Sequence, residues 1–115
     1  MPSGLMLNAG WQLPRGAPAW LALLSFSALA QGTTEIVIEG YKFIPPAVSI
    51  RAGESVRWVN REKRTSHSVL FPAEGGLESE RMFPAENWQR RFDKPGRYHY
   101  HCGPHPEMKG LIVVE

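Results

Sequence analysis

The sequence predicts an all-β domain, a Greek-key sandwich or small barrel of about seven short strands. Two observations carry this. Short runs rich in β-branched and aromatic residues recur along the chain, each bounded by Pro, Gly or Asn signals, and no segment shows a helical period. The first run is residues 34–39 (TEIVIE). Phe43 then leads into Pro45-Pro46, which interrupts regular pairing, and residues 47–51 resume as a strand. Ala52-Gly53-Glu54 turns the chain into residues 55–60 (SVRWVN), where Val56, Trp58 and Asn60 share one face and Ser55, Arg57 and Val59 the other. Trp58 reads as core. Residues 66–71 (SHSVLF) form another strand, with His67 facing the same way as Val69 and Phe71. Residues 72–84, rich in Gly, Glu and Pro, read as a long surface loop; Met82 and, further on, Trp88 read as core or patch residues. Residues 87–92 are a strand, Pro95-Gly96 is a type II turn, and residues 97–101 and 111–115 are the last two strands.

At 115 residues the chain holds one domain, assigned to residues 31–115. Residues 19–30 (AWLALLSFSALA) form an apolar run ending in a small-x-small site at Ala28-Leu29-Ala30, the pattern of a signal peptide cleaved after Ala30. The run is too short to span a bilayer, which takes about 20 apolar residues, so a retained anchor is the lesser alternative. The sequence therefore describes an exported, periplasmic protein without stable membrane insertion. Arg15 is the only charged residue before Gln31, so the net charge falls from +2 for the full chain to +1 for the domain. Charges of both signs are interspersed, which is a solvated surface and not a nucleic-acid footprint.

The chemistry lies in the last eighteen residues, YHYHCGPHPEMKGLIVVE. Cys102 is the only cysteine, so no internal disulfide is available, and an odd thiol in an exported chain needs another use. His105 and Met108 follow it at three-residue steps, and His67 can supply a second imidazole from upstream. Two imidazoles, a thiolate and a thioether are the donor set of a blue-copper electron-transfer site. Strand parity puts Tyr98, Tyr100 and Cys102 on one face and His99 and His101 on the other. With the tyrosines packed inward, Cys102 points into the domain, while His99 and His101 face solvent as bystanders. Gly103-Pro104 turns the chain and brings His105 back towards Cys102. Its ring edge is expected to emerge through an apolar patch.

Other readings compete. A lone Cys in a β domain is ordinarily a small buried hydrophobe, which leaves the His and Met offsets unexplained. A Cys–His nucleophile needs an oriented imidazole and an oxyanion hole; no Asn or Asp stands ready to orient His105, and Met108 would be idle. Structural zinc favours more thiolates or a Cys₂His₂ set. A copper carrier handing its ion to another exported protein could use these donors. A proline-stiffened loop suits retention through many redox cycles better than hand-over.

Residues 58–62, 66–69 and 98–115 carry a family likeness. With its C-x-x-H-x-x-M spacing the chain resembles amicyanin, in the plastocyanin-like branch of the cupredoxins, the type 1 blue copper proteins. The likeness runs from about Thr34 to Glu115 and implies a cupredoxin-like Greek-key β-sandwich of about seven to eight strands. By position it implies His67, Cys102 and His105 as the three strong ligands of one Cu(I)/Cu(II) ion, with Met108 as the weak axial ligand. It further implies a monomeric electron carrier, not an enzyme, with an amine dehydrogenase as donor and a cytochrome c as acceptor. Two departures stand out. Ser66 and Ser68 flank His67 where the family often has Pro and Asn, and Gly103 stands where Thr is usual. The hydrogen bond that often ties the two ligand loops is therefore expected to be weakened.

Overall fold

Alternation along the chain decides which residues are buried, and burial decides the sheets. A computed structural model describes residues 32–115; the predicted leader at residues 1–30 lies outside them. The described strands are β1 (Thr33–Glu39), β2 (Lys42–Ile44), β3 (Ala47–Ile50), β4 (Glu54–Asn60), β5 (Leu70–Phe71), β6 (Leu77–Glu78), β7 (Asn87–Phe92), β8 (Gly96–His101) and β9 (Lys109–Val114). In β1, Ile36 and Ile38 face in; in β4, Val56, Trp58 and Asn60 do so, as parity requires. One sheet runs β2-β1-β4-β7 and the other β3-β9-β8-β5-β6. Both are mixed, because β1 pairs in parallel with β4 and β3 in parallel with β9.

The inner faces meet through aromatic rings, which makes the fold a sandwich. Tyr100 of β8 lies edge-on to Phe43 of β2 and Trp58 of β4, with centroids 4.8 and 5.4 Å apart. Phe71 of β5 approaches Phe92 of β7 at 6.1 Å. Such contacts add to the burial of rings that each remove large apolar areas from water. No helix of the described residues is long and apolar enough to cross a membrane.

Four details differ from the sequence reading. First, β1 and β2 form a hairpin closed by Gly40-Tyr41, with Glu39 opposite Lys42. Both turn residues have positive φ, 62° and 57°, the signature of a two-residue type I′ turn. Second, the strand expected over residues 66–71 shrinks to Leu70–Phe71. His67 instead exchanges two backbone hydrogen bonds with Met82, and Val69 bonds to Ser79, so the chain leaves the ladder and His67, Ser68 and Val69 are all buried. Third, residues 72–84 are not a featureless surface loop. They hold a 3-10 turn (Pro72–Glu74), β6, and the buried Ser79 and Met82. The Arg90 guanidinium stacks 4.5 Å from both Phe71 and Phe92 and grips Glu74 through hydrogen bonds of 2.8 and 2.6 Å. That ion pair holds the Glu74 carboxyl below its ordinary pKa. Fourth, Gly96 does not occupy the third position of a type II turn. Its φ is 157°, where that turn needs about 80°, and it pairs with Val114 as the first residue of β8. The short β2 and β6 account for the strands beyond the expected number.

Gly110 stands opposite Tyr100 in the β8–β9 ladder, and the Tyr100 ring lies across it where a Cβ would be. Phe43 and Trp58 hold that ring from the other sheet. Gly110→Ala should therefore lower the unfolding free energy by about 1–3 kcal/mol, the usual cost of overpacking. A denaturant midpoint unchanged from wild type would contradict this packing.

Candidate metal centre

Three donor atoms converge at one end of the sandwich. His67, Cys102 and His105 place their ligand atoms within 4.8 Å of one another. Cys102 Sγ is 3.6 Å from His67 Nδ1 and 3.4 Å from His105 Nδ1. Both imidazoles thus turn the same nitrogen towards the sulfur. His67 and Cys102 are fully buried, while His105 is half-buried. Met108, the fourth residue singled out in the sequence, is buried at 3% exposure on the same loop.

The backbone explains this convergence. Cys102 follows β8 and Lys109 opens β9, so His105 and Met108 lie on the loop between them. The Met108 N–H donates to the His105 carbonyl (2.9 Å), and the Cys102 N–H donates to the Met108 carbonyl (3.0 Å). Pro104 and Pro106 fix φ on either side of His105 and contribute no N–H that would need a partner. His67 arrives from the β4–β5 connection, secured by its two bonds to Met82, 3.1 and 2.8 Å long.

The partners of His67 set its state. Its Nε2 donates to Glu62 Oε1 at 3.3 Å, which leaves Nδ1 as the bare nitrogen facing Cys102. Burial lowers the His67 pKa below 6.5, outweighing the pull of Glu62 in the other direction. A neutral imidazole is the form that ligates a metal. Glu62 is held in turn: it accepts from the Tyr41 N–H at 2.8 Å, and its own N–H donates to Asn60 Oδ1 at 2.9 Å. Asn60 Nδ2 donates to the carbonyls of Thr65 and Met82, both at 2.9 Å.

Cys102 Sγ also accepts a hydrogen bond, 3.4 Å long, from the Ser68 N–H. The tie between the two loops survives the departures from the usual residues, contrary to the sequence expectation. Gly103 N–H donates to Ser68 Oγ at 3.0 Å, and the Ser68 hydroxyl donates to Glu78 Oε2 at 2.7 Å.

His99 and His101 stand outside the cluster. His99 is exposed, and His101 is half-buried with Nδ1 donating to the Cys102 carbonyl at 2.8 Å. Tyr41 does belong to the surroundings of the site. Its ring is edge-on to His67 at 5.4 Å and to His105 at 5.0 Å, and it is 48% exposed. Sequence reasoning missed Glu62, Tyr41 and Glu78. The one available signal was Asn60, a polar residue on the inward face of an apolar strand.

A family model described as "Copper binding proteins, plastocyanin/azurin family" matches residues 30–115. The chain belongs to that family. Amicyanin-alpha of Methylorubrum extorquens is 39% identical over 98 residues, covering 82% of each chain. Amicyanin of Paracoccus denitrificans is 35% identical over 91 residues, 76% of this chain and 69% of that protein. The crystal structure of amicyanin from Paracoccus versutus superposes with a TM-score of 0.67 at 37% identity, over 72% of this chain and 81% of that one. The fold is the cupredoxin sandwich of these relatives, and copper is the family's metal. Two imidazole nitrogens and a thiol sulfur gathered within 4.8 Å fit such an ion.

Copper titrations of single variants separate ligands from bystanders. His99→Ala and His101→Ala should bind Cu(II) with wild-type stoichiometry and colour, whereas His67→Ala and His105→Ala should each disrupt the centre. Loss of colour in His101→Ala with its retention in His67→Ala would reverse the assignment.

Proposed function

We propose that this cupredoxin is a periplasmic single-electron carrier whose copper is held by His67, Cys102 and His105, with Met108 as the weak axial ligand. The observation that carries the reading is the meeting of the three donor atoms within 4.8 Å of one another. Bound copper would cycle between Cu(I) and Cu(II), taking up and releasing one electron. The protein's part is to keep the donors still through that change. Pro104 and Pro106 stiffen the loop, its two internal backbone bonds close it, and Glu62 fixes the His67 ring. Ser68 N–H stabilises the charge on the Cys102 sulfur.

The same burial weighs against the alternatives. A carrier that hands over copper needs donors an acceptor can reach, yet Cys102 and His67 are 0% exposed. A nucleophilic thiol also needs substrate access. The half-buried His105, beside the exposed ring of Tyr41, is the route by which electrons leave and enter. Partners would dock there through a small, transient interface. An amine dehydrogenase as donor and a cytochrome c as acceptor fit this reading by analogy with amicyanin. The leader pattern at residues 19–30 supports export.

The Cu(II)-loaded protein should show an intense thiolate-to-copper band towards the red end of the visible spectrum, and Cys102→Ala should lack it. One electron equivalent should bleach the band, and an oxidised cytochrome c should restore it. A loaded protein without the band rules out the type 1 reading.

Metal bound to the native state alone stabilises by mass action, by about 2.7 kcal/mol at a hundredfold excess over Kd. Copper should therefore raise Tm well above that of the metal-free protein, and equal melting of the two forms would contradict a preformed native site.

A further inference from the structure

Gly103 and Glu78 occupy one another's space. A Cβ at position 103 would lie on top of Glu78 Oε2 and 2.7 Å from Ser68 Oγ. Glycine at this position therefore admits a carboxylate directly over the turn that joins Cys102 to His105. The carboxylate accepts the only proton of the Ser68 hydroxyl, at 2.7 Å. With that proton committed, Ser68 Oγ has lone pairs free for the Gly103 N–H, which donates to it at 3.0 Å. The backbone of the same serine donates to Cys102 Sγ. One chain of hydrogen bonds thus runs from Glu78 through Ser68 to both the Cys102 sulfur and the backbone of the residue after it.

We propose that Glu78 is a positioning residue of the metal centre. Through Ser68 it locks the Cys102 turn to the His67 segment, and its charge lowers the reduction potential. The proposal rests on the copper reading above. Its two effects share one geometry. An ionised acceptor makes the Ser68 bond stronger than a neutral one, so the hydroxyl is not free to rotate away. A negative charge beside the site favours the more positive metal state, Cu(II) over Cu(I). Glu80 is the internal comparison. It lies two residues further along and is exposed as Glu78 is, but only its backbone carbonyl takes part, accepting from Ser79 Oγ.

Midpoint potentials of the copper-loaded full chain test the charge. Glu78→Gln should raise the potential, shifting the Cu(II)/Cu(I) ratio at fixed ambient potential about tenfold, which is 59 mV for one electron. Glu80→Gln should shift it far less. Equal shifts in the two variants, or none in Glu78→Gln, overturn the electrostatic role. Hydrogen exchange of the Gly103 amide in metal-free protein tests the lock without copper. Exchange should quicken in Ser68→Ala and Glu78→Ala; wild-type protection in both overturns the positioning role. Gly103→Ala should displace the carboxylate and raise the potential as Glu78→Gln does. Both clashing atoms end flexible side chains, so this variant keeps its fold. Because the blue band reports the donor set itself, its absence from the wild-type protein would refute the copper reading, whereas a normal band with an unmoved potential would refute only the role of Glu78.

Discussion

The side chain of Asn60 is the contact on which the metal centre depends. It is fully buried at the end of β4, where an amide without partners would cost a few kcal/mol. All its groups are used: two N–H bonds go to the carbonyls of Thr65 and Met82, and its oxygen accepts from the Glu62 N–H. The backbone of Asn60 completes the junction, donating to the Glu86 carbonyl and accepting from the Ala85 N–H. The turn after β4 and the segment through Met82 are thereby joined. Glu62 reaches His67 from the first, and the backbone of Met82 holds His67 from the second.

From that junction the site is assembled in layers. The aromatic rings between the sheets fix where β4 and β8 lie. The ends of those strands deliver Asn60 on one side and Cys102 on the other. Hydrogen bonds from Ser68 then join the two ends, and the Gly40-Tyr41 turn lays a ring across both imidazoles. Tyr41 has a left-handed φ of 57°, a conformation that costs a non-glycine residue about 1–2 kcal/mol. Its N–H bond to Glu62 and hydroxyl contact with Thr65 offset that cost and hold the ring in place.

Much of this was legible in the chain. Parity placed Val56, Trp58 and Asn60 inside and separated Tyr100 and Cys102 from His99, because those strands follow a regular ladder. The three-residue steps from Cys102 to His105 to Met108 picked out the loop that carries these candidate donors, since a turn with two prolines has few ways to close. What escaped was decided by partners distant in sequence. The segment before β5 leaves the ladder for Met82, fifteen residues on, so alternation could not describe His67. The stretch after Phe71 looked polar and loose, but Arg90 of β7 pins it by stacking and by Glu74. The type I′ turn went unread because tyrosine gives no hint of positive φ. The loop tie was expected to weaken because Ser68 and Gly103 were judged singly, whereas Glu78 makes them a pair.

The two parallel strand pairs carry a consequence for how the protein comes to be active. Parallel neighbours cannot be made by a hairpin; β3 must wait for β9, which closes the chain's last segment against its first half. Pairings this distant in sequence belong to the slow class of folding topologies, on the order of milliseconds to seconds. His67 and Cys102 are likewise 35 residues apart, and they meet where β5 pairs with β8, Leu70 opposite His101. Copper that reaches the chain earlier finds isolated donors and no pocket. The candidate donors are therefore gathered by tertiary pairing and by no single segment of the chain.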